Sequence, residues 1–373
     1  MIIGVPKEIK NNEYRVGLTP GNVHQLTNAG HEILIESGAG VGVGFDDNAY
    51  QMAGGRLVES ASEIFDRVEM VVKVKEPQQI ERQMLKPGQL LFTYLHLAPD
   101  TLQTVELLKS EAIAIAYETV TSPSGRLPLL APMSEVAGRM AIQAAAHHLE
   151  KSQGGRGVLM SGVPGVEAAN VLILGAGVVG TNALQMAVGM GANIWIVDQN
   201  IDRLRELDLI YGGRIKTYFS SPDLLNQLYP LMDVVIGGVL IPGSLAPHLL
   251  KIQHLETMKP GAVIVDVAID QGGCFESSHA TSHENPTYRV NDVIHYCVAN
   301  MPGAAPRTST LGLTNATFPM VKQIADKGFV SAILENQYLK NGVSVYHGEL
   351  CCEATAKSQN RNFQRIDQLI VKH

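Results

Sequence analysis

Cysteine is scarce: there are four in 373 residues, at 274, 297, 351 and 352, and none form a C-x-x-C pair. This excludes a disulfide framework and a thiol-ligated metal of the usual spacing. The neighbours Cys351 and Cys352 are poorly suited to an ordinary structural disulfide. Reduced thiols are therefore expected, with no cysteine marked as catalytic. No apolar run has the length of a bilayer span, so no membrane partner is expected. The opening MIIGVPKEIK enters a strand-like pattern directly, without the charged and apolar regions of a signal peptide, and a cytoplasmic protein is expected. The net charge of −7 is spread without blocks, and no basic patch is interleaved with aromatics, which argues against nucleic acid as a partner. The chain also lacks a G-x-S-x-G nucleophile elbow, a P-loop and an H-E-x-x-H zinc motif. His279 and His283 do have an i, i+4 spacing, but among Ser, Thr, Asn and Pro they read as loop residues, and no metal is expected.

The chain has enough apolar residues, at 45%, for about two domain cores. Its most informative stretch runs from Ala169 to Gln199. The apolar run Val171–Leu174 is followed at once by Gly175, Gly177 and Gly180 in the G-x-G-x-x-G pattern, then by an Ala- and Met-rich helical segment. A second strand, Asn193–Val197, closes on Asp198, 23 residues after the first glycine. In a dinucleotide-binding βαβ unit these glycines serve the tight turn, the approach of backbone N–H groups to a pyrophosphate, and close packing of helix on strand. Asp198 would accept from the adenosine ribose hydroxyls. That favours NAD over NADP, whose 2′-phosphate would meet a like charge, although Arg203 tempers the preference. The competing reading is a glycine-rich turn followed by a helix-capping Asp.

Strand-like and helical runs alternate on both sides of this unit, the pattern of parallel sheets covered by helices. In the first part, strands are expected at 2–5, 31–36, 70–74, 90–95 and 112–116, and helices after Thr19-Pro20, after Asp46, at 61–67 and at 100–110. Residues 118–133 read as a crossing between domains, and Ser134 as the cap of a helix running to about Lys151. Beyond Asp198, helices are expected at 202–210 and 222–228, and strands at 215–218, 233–236, 262–267 and 293–298. Two helices should occupy 309–327 and 329–340, the first kinked or divided at Pro319. The fold class is α/β, with two Rossmann-like doubly wound parallel-sheet domains separated by a cleft.

Ligands of such sheets bind beyond the carboxyl ends of the strands. Four polar residues fall there: Arg15 in its loop, Lys75 and His96 after strands of the first part, and Asp270 after a strand of the second. Arg offers a planar fork and Lys a point charge, which together can hold a small carboxylate, while His96 and Asp270 suit proton transfer. Each also has a plainer reading. Arg15 and Lys75 can be solvated surface charges, His96 a core histidine, and Asp270 an Asx-turn residue beside Gly272.

The strings Gly4-Val5-Pro6-Lys7-Glu8, Asn12-Glu13-Tyr14-Arg15-Val16 and Thr19-Pro20 resemble the opening signature shared by alanine dehydrogenases and the NAD-binding part of proton-translocating transhydrogenases. Val171 to Ala183 resembles their second signature. The similarity runs from residue 1 to about 345, whereas the tail from His347 is only loosely like the family's. The resemblance implies that Arg15 and Lys75 bind the substrate carboxylate and keto group and that His96 and Asp270 do acid–base work. It also implies that Ser134, Gly175, Gly177, Val178, Val179, Gly180, Asp198, Arg203, Ser220, Val239, Asn300 and Met301 surround NAD. It further implies a substrate domain at 1–128, an NAD-binding domain at 129–306, a return of 307–373 to the substrate domain with two interdomain helices, and a homohexamer. The expected reaction converts L-alanine to pyruvate and ammonia through iminopyruvate. Two rivals remain, an NAD(H)-binding transhydrogenase component and a non-catalytic NAD-sensing module. The sequence stops short of any membrane domain, which speaks against a complete transhydrogenase.

Overall fold

The computed structural model describes residues 1–239 and 246–370. The chain divides into two compact units, Met1–Met133 with Ala305–His373, and Ser134–Ala304.

The first unit starts with β1 (Ile2–Val5), α1 (Pro20–Asn28), β2 (Glu32–Glu36), α2 (Asp47–Met52), β3 (Arg56–Val58) and α3 (Ala61–Arg67). It continues with β4 (Met70–Val72), α4 (Gln79–Arg82), β5 (Leu90–Thr93), α5 (Thr101–Ser110) and β6 (Ile113–Ala116). Helix α6 (Ala131–His148) leads into the second unit, with β7 (Asn170–Leu174), α7 (Val178–Gly189), β8 (Asn193–Asp198), α8 (Ile201–Tyr211), β9 (Lys216–Phe219) and α9 (Pro222–Leu228). Next come β10 (Val234–Gly237), α10 (Ile252–Leu255), β11 (Val263–Asp266), β12 (Thr287–Val290) and β13 (Val293–Tyr296). The chain then rejoins the first unit through α11 (Pro306–Lys327), α12 (Phe329–Glu335), α13 (Gln337–Lys340), β14 (Val343–Tyr346), β15 (Glu349–Leu350), α14 (Glu353–Ser358) and α15 (Ile366–Ile370).

Among the described residues the first sheet has the order β15-β14-β6-β5-β4-β1-β2-β3 and the second β12-β13-β11-β10-β7-β8-β9. Stripped of β14, β15 and β12, which pair antiparallel, each sheet is parallel and follows the doubly wound order 3-2-1-4-5-6. The strand order of the first sheet reverses between β1 and β4, and that of the second between β7 and β10. In the second sheet Val171 and Ile173 of β7 pack in one core with residues of α6 and α7, and Leu172 and Leu174 in another with residues of α9. Burial on both faces explains the unbroken apolar run.

Local signals account for many boundaries. Thr19 caps α1 through a capping box with Asn22, Asp46 caps α2, and Asp100 caps α5. Three expectations are corrected. Ser134 does not cap α6 but lies inside it, because the helix starts at Ala131 with Pro132 in its first turn, where no N–H is needed. Pro319 does not divide α11, which runs unbroken for 22 residues and is anchored on both sides of the proline by buried Leu313, Phe318, Val321 and Ile324. The segment after Gly328 forms two helices, because the Asn336 side chain accepts from the N–H groups of Tyr338 and Leu339 and starts α13 anew. The short edge strands β3 and β12 were not anticipated, three and four residues being too few for a clear alternation.

Candidate active site

Where a doubly wound sheet reverses its strand order, the connections leaving the two central strands diverge and open a crevice at their carboxyl ends. In the first unit these strands are β1 and β4. The loop after β1 carries Glu8, Glu13 and Arg15, and the segment after β4 carries Lys73 and Lys75. Tyr94 and His96 follow β5, and Glu118 follows β6.

Arg15 is buried, at 2% exposure, and is not a surface charge. Glu13 accepts from its Nε at 2.6 Å and from Nη2 at 2.5 Å, and Nη1 points at Met133 Sδ at 2.9 Å. Burial opposes the guanidinium charge, but the Glu13 hydrogen bonds and charge outweigh it and hold its pKa above the ordinary arginine value. Lys75 is also buried. Its N–H donates to Glu8 Oε1 at 3.3 Å, and its carbonyl accepts from Thr93 Oγ1 at 2.8 Å.

His96 is no core histidine, its side chain being 44% exposed. It adopts a left-handed backbone, φ 49°, which is uncommon for a residue with a side chain. Glu118 braces this turn, accepting from the N–H groups of Leu95 at 3.2 Å and His96 at 2.5 Å, with His96 Nδ1 4.0 Å from its Oε1. The imidazole stacks on Tyr94, with centroids 5.6 Å apart and planes 7° from parallel. The Tyr94 hydroxyl donates to the Leu129 carbonyl at 2.6 Å, and burial pushes its pKa up, so it remains a neutral donor.

In the second unit the glycine loop occupies the carboxyl end of β7, beside the reversal point. Gly175 has φ 93°, and a Cβ there would lie 3.0 Å from Val239 Cγ2. At Gly180 a Cβ would come within 1.8 Å of the Gly175 carbonyl oxygen, so only glycine lets α7 approach this closely. Gly177 is different. It is the N-cap of α7, makes no side-chain cap, and a Cβ there would meet nothing within 4 Å among the described residues. Val178 and Val179 open the helix, whose first-turn N–H groups have the orientation that suits an anion.

The Asp198 carboxylate closes the loop, accepting from Ala176 N–H at 2.6 Å and Asn200 N–H at 2.7 Å. Arg203 donates from Nε to the Ala176 carbonyl at 3.0 Å, from Nη2 to Thr181 Oγ1 at 2.8 Å and from Nη1 to Glu206 at 2.5 Å. Ser220 N–H donates to the Asp198 carbonyl at 3.0 Å, tying the end of β9 to that of β8. Ser134 precedes Gly138 by one helical turn, and a Cβ at Gly138 would lie 2.2 Å from the Val179 carbonyl oxygen, so α6 presses on the start of α7. Asn300, with φ 59°, and buried Met301 follow β13.

Asp270 is exposed on the 3-10 turn Ile269–Gln271 after β11, a turn closed by Gly272 in the left-handed conformation. The loop is pinned from below by Asp266, whose carboxylate accepts from the N–H groups of Ala268, Cys274 and Phe275 and from Ser278 Oγ at 2.5 Å. The rings of His279 and His283 serve separate contacts, His279 stacking on Tyr288 at 3.6 Å and His283 Nε2 lying 3.1 Å from the Asn300 carbonyl oxygen.

Glu8, Glu13, Lys73, Glu118 and Asp266 escaped sequence reasoning. One signal was present: Lys73 interrupts the apolar run Met70–Val74, and a lysine inside a buried strand needs a carboxylate. Lys73 is fully buried between Glu8 at 3.2 Å and Glu81 at 2.6 Å.

Comparison with known proteins identifies the family of the whole chain. The family models "Alanine dehydrogenase/PNT, N-terminal domain" and "Alanine dehydrogenase/PNT, C-terminal domain" match residues 4–137 and 141–353. An alanine dehydrogenase of Halomonas elongata is 52% identical over 370 residues, covering 99% of this chain and 100% of that one. A solved L-alanine dehydrogenase superposes with a TM-score of 0.93 at 49% identity, covering 96% of this chain and 99% of the other. A transhydrogenase from Sinorhizobium meliloti shares the fold, with a TM-score of 0.81 at 23% identity over 95% of this chain and 100% of its own. Two family models that together span most of the sequence, and relatives of about half identity along its whole length, lead to one conclusion: the chain belongs to the alanine dehydrogenase/PNT family.

Proposed function

We propose that the protein catalyses the reversible, NAD-dependent oxidative deamination of L-alanine to pyruvate and ammonia. The observation that carries this reading is the pair of buried cations, Arg15 and Lys75, at the reversal point of the first sheet, in a chain similar over its length to alanine dehydrogenases. Arg15 pairs with the substrate carboxylate, a charge-assisted contact worth about 1.5–3 kcal/mol. Lys75, a compact point charge, polarises the carbonyl of pyruvate. His96 and Asp270 share the proton transfers, taking protons from the substrate ammonium and from the water whose addition releases ammonia.

The second unit has residues that fit NAD. The open Cβ position of Gly177 and the uncapped start of α7 leave backbone donors for a pyrophosphate. Asp198 uses two acceptor sites on the protein and keeps lone pairs for the ribose hydroxyls. Arg203 is engaged by Ala176, Thr181 and Glu206, which weakens its claim on a 2′-phosphate. Ser134, Val178, Val179, Ser220, Val239, Asn300 and Met301 complete the nucleotide's surroundings. Bound NAD supplies the hydride acceptor for the alanine Cα.

We assign the protein to the cytoplasm, where a reducing environment suits its four thiols, and to a homohexamer, as the family resemblance implies. Sedimentation should then give six times the 40.2 kDa chain.

The test of function is purified protein with L-alanine and NAD, followed at the absorbance of NADH. Turnover is expected. Binding of NAD without turnover would leave an NAD-sensing module, and hydride transfer to a nucleotide on an added polypeptide would make it a transhydrogenase component. Alanine in place of His96 or Asp270 should remove most turnover with NAD binding nearly intact, and undiminished activity strikes that residue from the mechanism.

A further inference from the structure

The three residues from Lys73 to Lys75 lie beyond the regular ladder. β1 pairs with β4 only at Ile3 with Met70 and Gly4 with Val71, and β4 itself ends at Val72. On the β1 side the next N–H groups therefore have no strand to donate to, and a buried donor without an acceptor costs about 1–3 kcal/mol. A side chain replaces the strand. Glu8 Oε1 accepts from Val74 N–H at 2.7 Å and from Lys75 N–H at 3.3 Å. Other groups hold the rest of the segment: Lys73 N–H donates to the Phe92 carbonyl at 3.1 Å, and the Tyr117 hydroxyl donates to the Lys73 carbonyl at 2.9 Å. Tyr94 N–H donates to the Val74 carbonyl at 3.2 Å, and Thr93 Oγ1 to that of Lys75.

The second oxygen of Glu8 accepts from Lys73 Nζ at 3.2 Å, with Glu8 8% and Lys73 1% exposed. Burial opposes the Lys73 charge, but Glu8 and Glu81 outweigh it and keep the ammonium protonated. Stability alone is a weak account of such an arrangement, since a buried ion pair is often no better than apolar packing. Its two backbone bonds to the segment carrying Lys75 give it a task. The loop after β1 thus serves both cations, Glu13 holding the Arg15 side chain and Glu8 the Lys75 backbone.

We propose that Glu8, backed by Lys73, is a positioning residue that sets where Lys75 stands and thereby the affinity for the keto acid; the effect on affinity rests on the alanine dehydrogenase reading. Two double variants separate the acceptor oxygen from the charge. Glu8→Gln with Lys73→Met removes the ion pair but keeps a carbonyl oxygen for the two N–H groups, whereas Glu8→Ala with Lys73→Met removes both at the same net charge. The readouts are KM for pyruvate, KM for NADH, and amide hydrogen exchange over residues 73–76, with Lys75→Ala setting the scale.

The alanine-containing double variant should raise KM for pyruvate about tenfold or more, toward that of Lys75→Ala, with KM for NADH within about twofold, and exchange at 74 and 75 should quicken. The glutamine-containing one should bring KM for pyruvate back to within about threefold of the parent and restore slow exchange. Equal KM for pyruvate in both double variants overturns the proposal. If the parent turns over neither alanine nor pyruvate, the proposed activity fails, while the exchange comparison still decides whether Glu8 holds the segment. Should either double variant not fold, Glu8→Asp keeps the charge for Lys73 but withdraws the oxygen from the two N–H groups. A raised KM for pyruvate with KM for NADH unchanged is then expected, and an unchanged KM for pyruvate overturns the proposal.

Discussion

The Glu13 carboxylate grips the Arg15 guanidinium with both oxygens, one on Nε at 2.6 Å and the other on Nη2 at 2.5 Å, and both side chains are buried. Two residues apart on one loop, they form a rigid fork that is charged in spite of its burial. Arg15→Ala takes the cation from a buried carboxylate and should lower the unfolding free energy by about 3–5 kcal/mol, read from urea unfolding. Arg15→Lys keeps the charge but loses the bidentate geometry, and KM for pyruvate should rise by about tenfold or more. A parental KM in Arg15→Lys would detach Arg15 from the substrate.

Gly177 and Gly180 make a paired test of the nucleotide loop. A Cβ at Gly180 would overlap the Gly175 carbonyl oxygen at 1.8 Å, so Gly180→Ala must displace the loop and should lower both Tm and NADH affinity. A Cβ at Gly177 meets nothing within 4 Å among the described residues, and its φ of −70° suits alanine. Gly177→Ala should therefore change stability by no more than about 1 kcal/mol while weakening NADH, measured by fluorescence titration. Unaltered NADH affinity in Gly177→Ala would mean that no pyrophosphate lies against this residue.

Asp266 anchors the loop that presents Asp270, and its pKa lies above the usual aspartate range, burial outweighing the bonds from Ser278, Cys274, Phe275 and Ala268. Asp266→Ala strands several buried donors, each worth about 1–3 kcal/mol. The expected result is a lower Tm and a fall in kcat larger than any change in NADH affinity. An intact kcat would show that the placement of Asp270 does not depend on this anchor.

His295 on β13 is fully buried, its Nδ1–H donating to the Val293 carbonyl at 3.0 Å, with Nε2 2.7 Å from Ser277 Oγ. Burial lowers its pKa from 6.5 to about 4. Between these values the unfolded chain binds the proton and the folded chain does not, so stability rises with pH across the window. The contribution is fully present above pH 6.5 and lost as pH falls toward 4, and its size is on the order of 3 kcal/mol. Urea midpoints measured across this window should fall with acidification, and His295→Gln should flatten that dependence.

Signals carried within a few residues were legible without the structure. The glycine loop, the caps at Thr19 and Asp46 and the alternation of strand and helix all follow from backbone conformation and hydrophobic period, which neighbouring residues set. Arg15, Lys75 and His96 were found as polar residues near strand ends, but whether they were buried, gripped or exposed was not. Those answers depend on partners distant in the chain: Glu118 braces His96 from 22 residues away, and Glu8 reaches Lys75 across 67.

By itself, then, the sequence determined the α/β alternation and the nucleotide loop, because both are local. The tertiary structure decided the order 3-2-1-4-5-6 in each sheet, the antiparallel strands β12, β14 and β15, and the reversal point between β1 and β4. A period of two assigns each side chain a face of its strand, but it does not say which strand lies alongside. That choice is made by burial summed over the whole sheet, and it makes β1 and β4, the strands that the Arg15 and Lys75 segments follow, neighbours at the centre of the first sheet.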